Sequence, residues 1–240
     1  MASISAFFPA YNDAESIGDL LLRTDRVLRE LCSDHELIVV NDGSSDGTAA
    51  ALRALQGRLP ALRIITHEHN RGYGGALRSG FAAASKELVF YTDGDGQYDP
   101  SELRNLFAAL SDETDVVQGF KRKRHDPLHR ILIGRAYHAV VKFAFGLSIR
   151  DVDCDFRLIR RRVFTDMNLQ FSSGVICVEL MRRIEGGGFV IAEVPVNHYP
   201  RRHGRSQFFT FTRIFQTGRD LVQLWLMLGR SSRKAKHVAA

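Results

Sequence analysis

The sequence predicts an α/β fold: a mostly parallel central sheet with an amphipathic helix near the C-terminal end. Three observations carry this. Short, wholly apolar runs alternate with segments of helical periodicity through residues 4–120, and strands of that composition belong to sheets covered on both faces. Polar, turn-rich segments follow the runs ending at Phe8, Val40 and Thr92, where ligands of such sheets sit. The chain has 240 residues, 45% hydrophobic and 25% charged, which suits a substantial core.

Ile4–Phe8 reads as the first strand. Residues 14–31 follow as a helix, with Ile17, Leu20, Leu21, Val27, Leu28 and Leu31 near 3.6 spacing. Leu37–Val40 is the second strand, and the polar run after it offers Asp or Ser as cap for a helix continuing to Leu55. Leu62–Thr66 is the third strand, 74–84 a helix, and Leu88–Thr92 the fourth strand. Pro100 opens a helix through Leu110, in the favoured first-turn position. Residues 116–120 form a fifth strand and 129–145 a helix with Arg130, Arg135, His138 and Lys142 on one polar stripe. Residues 164–169, 175–184 and 190–196 are short elements. Residues 208–228 form the final helix, whose polar stripe is Arg213, Gln216, Arg219, Asp220 and Gln223.

Composition excludes several classes. Three scattered cysteines without a C-x-x-C pair make neither a disulfide framework nor a zinc site and point to a reducing compartment. No secretory leader and no membrane-spanning run is visible, so the expectation is a soluble or peripheral chain. The net charge of +6 concentrates in residues 121–125 and 230–236. The first run carries no interleaved aromatics, which argues against nucleic acid. His125, His129 and His138 lack metal-site spacing and read as surface residues.

Pro9-Ala10-Tyr11-Asn12-Asp13-Ala14-Glu15 follows the first strand without the G-x-G-x-x-G of a dinucleotide fold, so NAD is not expected. Asn41-Asp42 ends the second strand, where a carboxylate can accept from a ribose or a base N–H. Asp93-Gly94-Asp95-Gly96-Gln97 follows the fourth. In extended backbone Asp93 and Asp95 point the same way and can converge on a hard cation, Mg²⁺ or Mn²⁺. Asp151-Val152-Asp153 and Asp153-Cys154-Asp155 share the Asp-x-Asp pattern, but only the first instance follows a buried strand.

With Asn70-Arg71-Gly72-Tyr73-Gly74-Gly75-Ala76-Leu77 as a fourth motif, residues 4–207 resemble the family-two glycosyltransferases, which have the GT-A, Rossmann-like nucleotide-diphospho-sugar transferase fold. The resemblance implies that Pro9, Tyr11, Glu15 and Asp42 hold the nucleoside, with Ala10, Asn12, Arg71 and Gly94 in the nucleotide-facing set. Asp93, Asp95 and Gln97 would lie at the metal and diphosphate. Residues 149–157, 193–196 and 201–206 are similar to segments of the dolichol- and polyprenyl-phosphate sugar transferases. That similarity implies Arg201 at the donor diphosphate, and Lys121, Arg122, Arg135 and Ser206 at a lipid phosphate. Asp153 and Asp155 stand where that subgroup has small or hydroxyl residues. For a hydroxyl acceptor either would be the general base and a catalytic residue with Asp95 and Arg201.

The expected organisation is a catalytic domain over 1–207 and an amphipathic helix with a basic tail over 208–240. That helix suits an anionic membrane surface, a membrane subunit or a second copy of the chain, and it implies a peripheral place on the cytoplasmic face of a membrane.

Overall fold

The computed structural model describes residues 2–122, 128–201, 211–228 and 237–238. Side chains at 128–133, 135–136, 211–212 and 237–238 are outside that description. The strands are β1 (Ser3–Ala10), β2 (Asp34–Asn41), β3 (Leu62–Thr66), β4 (Leu88–Thr92), β5 (Val116–Lys121), β6 (Phe156–Arg160), β7 (Ile191–Val196) and β8 (His237–Val238). The helices are α1 (Ile17–Leu31), α2 (Thr48–Gln56), α3 (Tyr73–Ala83), α4 (Leu103–Ala108), α5 (Leu128–Phe145), α6 (Val175–Gly186) and α7 (Phe211–Leu228).

The strands form one sheet in the order β3-β2-β1-β4-β6-β5-β7-β8. β6 alone runs antiparallel to its neighbours β4 and β5. Its apolar stretch lies inside the motif-rich segment after α5, and no sequence signal separated it as a strand. Period-two alternation explains why the strands are apolar throughout. Ile4, Ala6, Phe8, Leu37, Val39, Leu88 and Phe90 pack on one face with α1, α2 and α4. Phe7, Ile38, Val40, Val89 and Tyr91 pack on the other with α3, α5 and α6.

Helix starts deviate where the chain serves the strand ends. α1 begins at Ile17 rather than at residue 14, because Asp13 O accepts from the Ser16 and Ile17 amides and Ser16 Oγ donates to Gly94 O at 2.9 Å. The cap position of α2 is Gly47, and Asp46 just before it accepts from the Thr48 amide at 2.9 Å. The helix expected from Pro100 opens instead as a 3₁₀ turn, Pro100–Glu102, with Asp99 accepting from the Ser101 amide. Residues 161–164 form a second 3₁₀ turn, in place of the element expected over 164–169.

α7 corrects the expected polar stripe. Asp220 is buried beside Leu224, which is wholly enclosed in the second core. Ile214, Phe215, Val222, Trp225, Leu226 and Met227 are exposed. Among the described residues no helix is long and apolar enough to cross a membrane.

Glu36 ties three segments beneath the sheet. It accepts from Ser5 Oγ at 2.7 Å and from the Ser85 amide at 2.8 Å, and pairs with Arg63 at 2.6 Å. Burial raises its pKa, but the donors from Ser5, Ser85 and Arg63 outweigh burial and take it from 4.5 down to about 2. A depressed folded pKa stabilises above the unfolded value, and that stability is lost as pH falls through the folded one. We expect the stability this group contributes to be lost as pH falls from 4.5 to about 2. Urea unfolding across that range should show a shallower acid loss for Glu36→Gln than for the parent; equal slopes would refute the assignment.

Candidate functional site

The sheet order reverses between β1 and β4, and the crevice beyond the carboxyl ends of those strands is where an open α/β sheet receives ligands. Pro9 and Ala10 end β1, and their carbonyls accept from the Gly94 and Asp42 amides at 3.2 and 2.9 Å. The three expected strand-end motifs therefore meet at one place. Asn12, at φ 60, turns the chain there; its Oδ1 accepts from the Ser45 amide, and its own amide donates to Ser44 Oγ. Tyr11 is half-buried beside it, donating its amide to Asp13 Oδ2 at 3.0 Å.

Asp42 is 3% exposed, and its Oδ1 accepts from the Arg71 amide at 2.8 Å and meets His67 Nδ1 at 2.6 Å. His67 Nε2 in turn meets Ser79 Oγ at 2.9 Å. This buried chain fixes the carboxylate from behind. Sequence reasoning missed His67, because only the parallel pairing of β3 with β2 brings residues 25 apart into contact.

The Asp93-x-Asp95 pair lies on a turn after β4 rather than in extended backbone, yet the two carboxylates still act on each other. Asp93 Oδ1 accepts from Tyr73 Oη at 2.7 Å. Its pKa is pushed well above the carboxylate range, first by burial, then by the nearby charges of Asp155 and Asp95. Asp95 accepts the Gln97 amide on Oδ1 and ion-pairs with Arg201 through Oδ2. Gln97 also clasps the late segment, donating Nε2 to Tyr199 O at 2.9 Å. A site where hard carboxylate oxygens crowd until one resists ionisation fits a hard divalent cation.

Asp13 is the carboxylate that sequence reasoning passed over in favour of Glu15. Its pKa rises to about 6, chiefly by burial and also by Asp95, against the Tyr11 amide and Arg201. Glu15 is exposed and lines a pocket of about 430 Å³ with Asp95, Tyr98 and Tyr199. Asp42, Asp93 and Arg71 are not on that pocket's walls.

The glycines of the fourth motif permit a close approach. A Cβ on Gly74 would stand 2.2 Å from Phe171 O, and one on Gly72, at φ +81, would stand 2.5 Å from Ser172 O. Their absence lets residues 171–172 lie against the start of α3.

Asp155 arrives from β6, whose first residue, Phe156, pairs with Thr92. Its Oδ1 accepts from Arg157 at 2.6 Å, Tyr91 Oη at 3.3 Å and Cys177 Sγ at 3.2 Å. It is the counter-ion of a wholly buried arginine. Asp153 takes a different place: its carbonyl accepts from Lys121 Nζ at 2.8 Å, and its carboxylate lies with Asp151 and His138, their ligand atoms within 4.8 Å of one another. His138 is thus half-buried in a polar cluster rather than a surface residue. Arg122 is exposed at the end of β5, its amide donating to Val196 O. Arg135 lies within α5, its side chain outside the description, and Ser206 and residues 123–125 lie outside the described residues.

Comparison with known proteins agrees with this architecture. A solved structure of glucosyl-3-phosphoglycerate synthase from Mycobacterium tuberculosis, in complex with Mn²⁺, uridine-diphosphate and phosphoglyceric acid, is similar with a TM-score of 0.73 at 20% identity, covering 95% of this chain and 79% of that one. This likeness establishes the fold. The undecaprenyl-phosphate 4-deoxy-4-formamido-L-arabinose transferase of Proteus mirabilis (strain HI4320) is 31% identical over 221 residues, and that of Enterobacter sp. (strain 638) is 29% identical. Each alignment covers 91% of this chain, which spans 66% of the length of these relatives. Residues 5–167, from β1 through β6 and the turn after it, match the sequence profile of glycosyl transferase family 2, and the chain belongs to that family.

Proposed function

We propose that the chain transfers a sugar from a nucleotide-diphospho-sugar to a polyprenyl or dolichyl phosphate, with inversion at the anomeric carbon. The observation that carries this reading is the Asp93/Asp95/Arg201 cluster at the β1/β4 crevice. The names of the curated relatives, which act on undecaprenyl phosphate, support the acceptor.

The acceptor oxygen attacks the anomeric carbon as its bond to the diphosphate oxygen breaks, and negative charge accumulates on the leaving diphosphate. Asp93 and Asp95, with Gln97 beside them, would hold Mg²⁺ or Mn²⁺, which supplies Lewis-acid stabilisation of that charge. Arg201 already reaches Asp95 and would donate to the same diphosphate oxygens, favouring the transition state over the ground state. Asp42 is assigned to the nucleoside, held by His67 and the Arg71 amide, with Pro9, Ala10, Tyr11, Asn12, Glu15 and Gly94 around the same ligand. Asp13 joins them as a carboxylate whose ionisation follows the cation.

A phosphate acceptor is already anionic and needs no general base. Lys121, Arg122, Arg135 and Ser206 are assigned to it, with the exposed Val140 and Phe143 of α5 beside the lipid tail. The second reading, a hydroxyl acceptor with Asp153 or Asp155 as base, is favoured by the His138/Asp151/Asp153 cluster. The two readings predict opposite patterns. With a labelled donor, polyprenyl phosphate should be glycosylated and the free polyprenol should not. Arg135→Ala should raise the acceptor KM while Asp153→Asn leaves kcat nearly unchanged. A loss of ~10²–10⁴-fold in kcat for Asp153→Asn would instead establish the hydroxyl acceptor.

We also assign the exposed face of α7 to an anionic membrane surface, on the cytoplasmic side where the buried, free cysteines are at home. Phe215→Glu with Leu226→Glu should abolish salt-sensitive co-sedimentation with phosphatidylglycerol vesicles. A parent protein that stays in the supernatant at low salt refutes this, and concentration-dependent dimerisation lost in the same variant would assign the face to a second copy.

A further inference from the structure

We propose that the chain carries a second ligand site, an oxyanion pocket at the end of the sheet opposite the strand-end carboxylates, anchored by Arg182. The pocket has a volume of about 370 Å³ and lies where β6 leaves the sheet and β7 enters it. Its walls come from the turn after β6, from the C-terminal end of α6, from Phe189 ahead of β7, and from Leu228 at the end of α7. No residue of the nucleotide, metal or acceptor assignments touches it, so the proposal stands independently of those assignments.

Three arginines reach this pocket, and two are neutralised within the chain. Arg162 pairs with Asp115 at 2.8 Å, and Arg183 pairs with Glu179 at 2.9 Å. Arg182 is different. It is 4% exposed, its Nε is buried without a hydrogen-bond partner, and no hydrogen bond or ion pair holds its guanidinium among the described residues. A guanidinium with a buried donor that meets no acceptor is unfavourable, so an acceptor from outside the chain is the natural complement.

The nearby carboxylates leave that guanidinium without an acceptor. Glu185 favours its charge through space but forms no hydrogen bond with it among the described residues, and Glu185 Oε1 accepts instead from the Ser148 amide, Ser148 Oγ and the Ile149 amide. Asp166, also on the pocket's wall, is exposed and forms no ion pair with Arg182 among the described residues. Gly186 makes the room: a Cβ there would stand 2.9 Å from Arg182 Nη1.

The lining sets the ligand class. A guanidinium donates two parallel hydrogen bonds to the oxygens of a phosphate, better than a point charge would. Val163, Met167, Phe189 and Leu228 make the remaining wall apolar. The complement is a small phosphate monoester whose ester group is apolar, with phenyl phosphate as a suitable probe.

Titration of the ¹⁵N-labelled full-length protein with phenyl phosphate should shift the Gly186, Gly187 and Phe189 amides saturably. Inorganic phosphate should bind more weakly, and phenol should leave those amides unmoved. Arg182→Gln should weaken phenyl phosphate at least tenfold. Because Arg182→Gln alters a buried position, Asp166→Asn on the exposed wall provides the second arm and should tighten binding several-fold by removing a repelling charge. Absence of saturable shifts at those amides, unchanged affinity in Asp166→Asn, or equal affinity in a folded Arg182→Gln protein would overturn the proposal.

Discussion

Asp95→Asn is expected to lower sugar transfer by ~10²–10³-fold or more while leaving the fold intact, the scale on which removing one preorganised electrostatic partner acts. Asp95 contributes two things at once: a hard oxygen beside Asp93 and the counter-charge that holds Arg201. The amide keeps the shape and removes both. Asp95 is buried on a turn after β4, outside the sheet itself, and the isosteric amide keeps its packing, so circular dichroism should change little. Metal and nucleotide affinity should fall together in the variant, and EDTA should reproduce its defect in the parent. Full turnover after EDTA treatment would remove the cation from the mechanism.

The raised pKa of Asp93 adds a sign to this test. Burial, Asp155 and Asp95 favour its protonated form, whereas a cation requires the carboxylate. Cation binding should therefore release a proton and strengthen as pH rises. In Asp95→Asn the pH dependence should weaken, because one of the repelling charges is gone.

The largest expected effect on stability belongs to Arg157→Met, about 3–5 kcal/mol, as for other broken buried ion pairs. Arg157 is wholly buried. It donates to Asp155 at 2.6 Å and to Val152 O at 2.6 Å, reaches Gln118 Oε1 and Tyr91 Oη, and lies over the Tyr91 ring. Methionine fills similar space but strands the Asp155 carboxylate without its cation. Arg157→Met/Asp155→Ala should therefore be less destabilised than Arg157→Met alone, giving a favourable coupling term in a urea-unfolding cycle. A single-variant cost below about 1 kcal/mol would show that the pair is not what holds this layer.

Much of the fold was legible because its signals are local. The apolar runs of β1, β2 and β4 are covered on both faces, so composition alone marks them, and the polar segments at Pro9, Asp42 and Asp93 follow each run directly. β6 was not legible, because Phe156–Arg160 reads as part of a polar motif and becomes a strand only by inserting between β4 and β5. On α7 the periodicity was right but the buried side was not: Asp220 went inward because Leu224 beside it is enclosed in the second core.

The α/β class, the succession of strands and helices in the first half, and the carboxylate motifs at their carboxyl ends are local properties, since each depends on residues within a few positions of one another. Which further groups meet those motifs depends on how distant segments pack together. His67 stands behind Asp42 because β3 pairs with β2, Asp155 comes beside Asp93 because β6 runs antiparallel to β4, and the charges of Asp13 and Asp95 act on each other where Ser16 is tied to Gly94. These neighbours are set by strand order and register, and local periodicity carries no information about either.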